Sequence, residues 1–127
     1  TNAETVVIAP SNPLVSIGPI RSLDGTDDIL SARRDSVVAV SPIVGGAALK
    51  GPAARMMTEL GHESSVVGVA RLYARIASVL VIDPADAHLV DAVAAEGMRC
   101  IVTPSVMSTP EIARTLGEVA IAAVSVP

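Results

Sequence analysis

The chain has 127 residues, half of them hydrophobic, with 9 basic and 13 acidic side chains and a net charge of −4. That length holds one domain with a single core, while the acidic balance and the lack of Phe and Trp exclude a basic nucleic-acid surface and its aromatic stacking platform. The single cysteine, Cys100, excludes a disulfide-stapled scaffold, and no apolar run reaches the ~18 residues of a membrane span.

Short β-branched runs alternate with longer amphipathic ones, the pattern of βαβ units and a mostly parallel sheet. Thr5–Ala9 (TVVIA), all apolar after Thr5 and stopped by Pro10, reads as a strand buried on both faces. A turn at Asp24-Gly25 leads into a short helix over Asp27–Arg34. Ser36–Val40 (SVVAV) is a second buried strand, again ended by Ser-Pro. Pro52–Leu60 reads as a helix, with Pro52 at its first position, a stripe of Ala53, Met56, Met57 and Leu60, and Gly61 just past its end. Ser64 suits the cap of a helix reaching about Ile76, whose apolar face carries Val66, Val69, Ala70 and Tyr73. Val79–Ile82 is a third strand. Asp83 is placed to cap a helix over Pro84–Glu96, stopped by Gly97. Arg99–Val102 is a fourth strand, and Thr109 caps a final helix from Pro110 to about Val124, with Ile112, Leu116, Val119 and Ala123 as its stripe. The expected fold is α/β: a Rossmann-like, mostly parallel sheet with helices on both faces. With a strand opening almost at residue 1, the chain is expected to be the C-terminal portion of a larger doubly wound domain.

Ligands of parallel sheets bind at the carboxyl ends of the strands. Two segments fall there. The first, Pro10–Pro19, offers small donors and acceptors at Ser11, Asn12 and Ser16 on a backbone stiffened by Pro13 and its neighbours. The same residues also make an ordinary strand-exit turn. The second, Ser41–Pro52, holds Gly45, Gly46, Gly51 and Lys50 ahead of a helix start. Free N–H groups and a positive helix end suit a phosphate, to which Lys50 adds a point charge. A plain glycine connection with a solvated lysine explains it equally well. Neither a Walker loop nor a dinucleotide fingerprint is present.

The remaining candidates have simpler explanations. His62 and His88 lack metal-ligand spacing and read as surface residues. Cys100 lies within a strand and reads as a buried, inert thiol. Asp24, Asp27 and Asp28 suit a turn and a helix start better than a metal. Tyr73 belongs to a core stripe, and Arg71 faces either solvent or a ligand phosphate.

Five segments together carry a resemblance: VVIAPSNPLVSIGPI (Val6–Ile20), VVAVSPIVGGAALKGPAARMM (Val37–Met57), GVARLY (Gly68–Tyr73), VLVID (Val79–Asp83) and GMRCIVTPSVMSTPE (Gly97–Glu111). They resemble the C-terminal part of the 2-phospho-L-lactate transferase family of coenzyme F(420) biosynthesis, in its actinobacterial, phosphoenolpyruvate-using form. With one cysteine and neither a basic nor an apolar leader pattern at Thr1–Thr5, the expected setting is a reducing cytoplasm. The resemblance implies a transferase that moves a phosphoenolpyruvyl or 2-phospholactyl group from a guanosine diphosphate-linked donor to the deazaflavin Fo, releasing GMP. It implies that Ser11, Asn12, Pro13 and Ser16 line the donor–acceptor cleft, with Ser41, Gly45, Gly46 and Lys50 in its neighbouring wall. It implies magnesium (Mg2+) on the donor phosphates, with ligands in an N-terminal half that this chain lacks together with the family's glycine-rich opening loop. The implied partners are Fo, the donor, and either a second copy or the missing half, with no nucleic acid and no membrane. A nucleotide-sugar-binding regulatory protein of related fold, and a non-catalytic structural or dimerisation fragment, are the alternative readings.

Overall fold

In a computed structural model, residues 5–8, 21, 23, 25–45, 47–48, 57–59, 61, 65–105 and 109–124 are described. Four parallel strands form the sheet: β1 (Val6–Ile8), β2 (Val37–Val40), β5 (Val79–Ile82) and β6 (Arg99–Val102), in the spatial order β1-β2-β5-β6. A separate antiparallel ribbon pairs β3 (Ile43–Val44) with β4 (Ala47–Ala48). The helices are α1 (Thr26–Ala32), α2 (Val66–Tyr73), α3 (Val90–Ala95) and α4 (Pro110–Val124), with 3₁₀ turns at Arg34–Ser36 and Pro84–Leu89.

The two central strands are the all-apolar runs, and every residue of β2 and β5 is buried. Alternation along each strand divides the core in two. Val37, Ala39, Leu80 and Ile82 face Val66, Val69, Ala70 and Tyr73 of α2 and Val93 of α3, with Leu30 of α1 and Met57 in the same cluster. Val38, Val40, Val79 and Val81 face Leu116 and Ala120 of α4 on the other side. The strand order runs one way across the sheet, so right-handed crossovers put α1, α2 and α3 on one face. After β6 the chain turns back, and α4 lies across β2 and β5 on the opposite face. The expected architecture is therefore present, a parallel sheet with helices on both sides.

Several boundaries shift for identifiable reasons. Ser36 sits in a 3₁₀ turn rather than in β2, its hydroxyl donating to Arg33 O at 2.9 Å. α2 is capped by Ser65, whose Oγ accepts from Gly68 N at 3.3 Å, and it ends at Tyr73 rather than near Ile76. The expected cap Ser64 lies outside the described residues. Asp83 does cap the next segment, accepting from Ala85 N at 3.1 Å. That segment is not one helix: Pro84–Leu89 is 3₁₀, Asp86 has non-helical φ −109° and ψ 16°, and α3 begins only at Val90. Of the Pro52–Leu60 helix, residues 57–59 are helical, Met57 is fully buried, and Gly61 has the left-handed φ of +83° expected of a helix stop. Thr109 caps α4 as expected, accepting from Ile112 N at 3.2 Å. Among the described residues no helix is long and apolar enough to cross a membrane.

Candidate functional site at the carboxyl edge of the sheet

Strands β2, β5 and β6 deliver three described segments to one edge: Ser41 to Gly45, Asp83 to Asp86, and Thr103 to Ser105. Ser41, Asp86, Thr103 and Ser105 are the buried polar residues among those described. Buried polar groups need partners, and the partners here are mostly backbone.

Ser41 continues the sheet through its N–H to Val81 O at 2.9 Å. Its hydroxyl accepts from Ile43 N at 3.1 Å and donates to Ile43 O at 3.3 Å, a local turn that bends the chain into β3. β3 and β4 are joined by Gly45 and Gly46, with Val44 paired to Ala47. Gly45, which follows β3, has φ +61°, where a Cβ would be strained. The glycine loop of the sequence reading is thus, at Gly45, the tip of a short hairpin.

Asp83 and Asp86 stand at opposite ends of one tight turn and serve different loops. Asp83 Oδ1 accepts from Ser105 N at 2.9 Å and from Ser105 Oγ at 3.4 Å, tying the β6 exit to the β5 exit. Asp83 Oδ2 accepts from Ala85 N. Asp86, only 3% exposed, accepts with Oδ2 from Gly45 N at 2.9 Å, which ties the β5 exit to the hairpin. Sequence reasoning used Asp83 as a cap only and did not single out Asp86 or Ser105. A bond between residues 41 positions apart leaves no local signal.

Of the predicted site residues, Ser41 and Gly45 lie together in the β2 exit loop at this edge. Ser11, Asn12, Pro13, Ser16, Gly46 and Lys50 lie outside the described residues. The described groups do not fit a magnesium site. No group of three or more His, Cys, Asp or Glu is placed to hold a metal among them, and the two edge carboxylates accept from backbone N–H. Of the acidic cluster near α1, Asp24 lies outside the described residues, and the other two form ion pairs: Asp27 takes a two-pronged contact from Arg21 at 2.9 and 3.1 Å, and Asp28 meets Arg75 at 3.1 Å. Arg71 pairs with Glu96 at 3.0 Å. Cys100 is half-buried, and burial pushes its thiol up to about 11, as an inert strand cysteine requires. His88 is exposed.

The family model for 2-phospho-L-lactate transferase CofD matches residues 1–111, which span both strand-exit loops. The chain belongs to the 2-phospho-L-lactate transferase CofD family. It is 42% identical over 108 residues to the 2-phospho-L-lactate transferase of Methanocaldococcus jannaschii, covering 85% of this chain and 33% of that protein. To the 2-phospho-L-lactate transferase of Methanococcoides burtonii it is 41% identical over 115 residues, covering 91% of this chain and 37% of that relative. To the phosphoenolpyruvate transferase of Kitasatospora aureofaciens it is 37% identical over 118 residues, covering 89% of this chain and 37% of that protein. The chain thus spans about a third of the length of these curated relatives. The family is one of transferases of phospho-containing groups, and both phospho-acid names occur among the relatives.

Proposed function

We propose that this chain forms the carboxyl-edge wall of a transferase site of coenzyme F(420) biosynthesis. The site moves a phosphoenolpyruvyl or 2-phospholactyl group from a guanosine diphosphate-linked donor to the terminal ribityl hydroxyl of Fo. The hydroxyl oxygen bonds to the phosphorus that carries the acid, the anhydride bond to the guanosine-bearing phosphate breaks, and GMP leaves with the bonding electrons. The hydroxyl proton is released. The observation that carries this reading is the family match across residues 1–111, which includes the loops after β1 and β2.

The fold supports it. A parallel sheet puts its loops at one edge, and two aspartates tie the exits of β2, β5 and β6 into one unit there. Transfer of this kind asks the protein mainly for positioning and charge neutralisation. In this reading Ser11, Asn12, Pro13 and Ser16 face the cleft, and Ser41 to Gly46 with Lys50 form the adjoining wall. The outer strands of the described sheet leave Val7 45% and Val102 39% exposed, which supports association with a second copy or with further protein of the same family. The working setting is the cytoplasm.

The test is a fluorescence titration of Fo with this chain, with and without GDP and magnesium, any product being weighed by mass spectrometry. Saturable binding is expected. No binding of either Fo or GDP overturns the assignment of the wall to this chain.

A further inference from the structure

We infer that Asp86 is a positioning residue, which holds the β3–β4 hairpin in the shape that receives the donor. The inference rests on the transferase reading above and adds a residue to it. Three observations converge. The carboxylate is nearly fully buried, a placement that costs free energy unless its oxygens are satisfied. It accepts from the N–H of Gly45, 41 residues away in sequence, at 2.9 Å. The backbone leaves helical geometry at Asp86 itself, so the run from Pro84 to Ala95 is broken where this side chain turns to the hairpin. A helix continued through this point would stand without that break.

The geometry gives the contact a direction of action. Gly45 is the left-handed tip residue of a hairpin whose strands are two residues each. So short a ribbon is not stable alone. Its tip is fixed from outside, by Asp86. At the other end of the same turn Asp83 fixes Ser105. The Asp83-Pro84-Ala85-Asp86 turn therefore works as a clamp, with Pro84 limiting its backbone freedom. Through this clamp the rigid end of β5 sets the spacing of the loops on either side. Asp86 touches no reacting atom in this scheme. It acts through Gly45, and what it requires is an acceptor oxygen rather than a negative charge.

That requirement sets the test. The unaltered chain, Asp86→Ala and Asp86→Asn are compared by GDP titration in a calorimeter and by hydrogen exchange at the Gly45 amide in NMR spectra. Asn keeps an acceptor oxygen for Gly45 N–H and Ala does not. The expected result is about tenfold weaker GDP binding in Asp86→Ala, corresponding to the loss of one ordinary hydrogen bond. Gly45 exchange should also be faster in that variant, and Asp86→Asn should sit close to the unaltered chain on both readouts. Faster Gly45 exchange with unchanged GDP affinity in Asp86→Ala overturns the positioning role and leaves Asp86 a structural tie. Equal losses in Asn and Ala also overturn it, because charge rather than an acceptor would then be at work. If the unaltered chain binds no GDP, the donor reading falls first and takes the positioning role with it. Binding that Asp86→Ala leaves untouched overturns the positioning role alone.

Discussion

The two edges of the sheet are held by opposite charges. At the amino edge, arginines donate to carbonyls at helix ends: Arg21 to Leu72 O, Arg34 to Ala74 O and Gly97 O, and Arg99 to Ala123 O. At the carboxyl edge, aspartates accept from loop N–H groups: Asp83 from Ala85 and Ser105, and Asp86 from Gly45. The asymmetry follows from the topology. Crossover helices run antiparallel to the strands, so their negative carboxyl ends gather at one edge and their positive amino ends at the other. The amino edge lacks donors, and guanidinium groups supply them. The carboxyl edge lacks acceptors, and carboxylates fill the places where the fold needs rigid loops. An anionic ligand is favoured at the same edge for the same reason. One edge is therefore built for stability, and the other, in the proposed transferase, is shared between stability and binding.

The largest expected effect lies at the amino edge. Arg21 combines the paired contact to Asp27, a bond to Leu72 O, and a position 5.9 Å over the Tyr73 ring. Arg21→Ala leaves Asp27 and Leu72 O without that donor and should cost about 2–3 kcal/mol in urea denaturation. GDP affinity should not change. A change in affinity of the same size as that in stability would dissolve the distinction between the edges. At the carboxyl edge, Asp83→Ala removes a cap and the Ser105 tie and should cost about 1–2 kcal/mol. GDP binding should weaken along with it, which Arg21→Ala does not produce.

The acid limb of stability separates the edges by charge. The hydrogen bond from Arg21 holds the Asp27 carboxyl below the usual carboxylate range, helped by the charges of Arg21 and Arg75 and opposed by burial. A depressed carboxylate contributes stability above the unfolded value, near pH 4, and loses it as pH falls through the lower folded value. Acid titration of the folded fraction should therefore show a drop below about pH 4 that Arg21→Ala flattens. Arg75 and Asp28 are largely exposed, at 63% and 81% of their side chains. Arg75→Ala should change stability by no more than about 0.5 kcal/mol.

How far the sequence anticipated these edges depends on the range of the interaction. The strands were legible because Val37–Val40 and Val79–Ile82 are buried on both faces, so an unbroken apolar run is itself the signal. Gly61, Asp83 and Thr109 were legible because a helix end is set by residues within one turn of it. Ser64 and Ser65 carry the same capping chemistry, and composition does not choose between neighbours. The β3–β4 hairpin was missed because two-residue strands are too short for alternation, although Gly45-Gly46 between apolar residues is a hairpin signal. The Pro84–Leu89 turn reads equally as the first turns of a helix, and helical geometry breaks at Asp86, whose carboxylate accepts from Gly45. Asp86, Ser105 and the arginines of the amino edge act across 22 to 63 residues of sequence. Nothing local marks them.

The one substitution expected to raise stability rather than lower it is the most diagnostic of the amino edge. Tyr73 is the chain's one aromatic residue and is fully buried. It belongs to the larger core cluster with Val69, Ala70 and Ile76, yet among the described residues its hydroxyl has no hydrogen-bond partner. Burial raises the phenol above its ordinary range, against a smaller opposing pull from Arg21. Tyr73→Phe keeps the ring and the stacking surface for Arg21 and removes a desolvated hydroxyl. Stability at neutral pH should stay level or rise by up to about 1 kcal/mol. The alkaline limb should change as well. A group whose folded value is raised gives stability that is full below its unfolded value and is lost as pH rises, here from about pH 10 upward for a tyrosine. Cys100 adds an earlier loss, beginning near the unfolded thiol value of about 8.5 and complete as pH passes its folded value of about 11. In Tyr73→Phe the Cys100 portion should persist while the fall above pH 10 shrinks. A clear loss of stability at neutral pH would instead show that the hydroxyl is satisfied in solution, and that the Arg21 side of the core is held by the phenol as well as by the guanidinium.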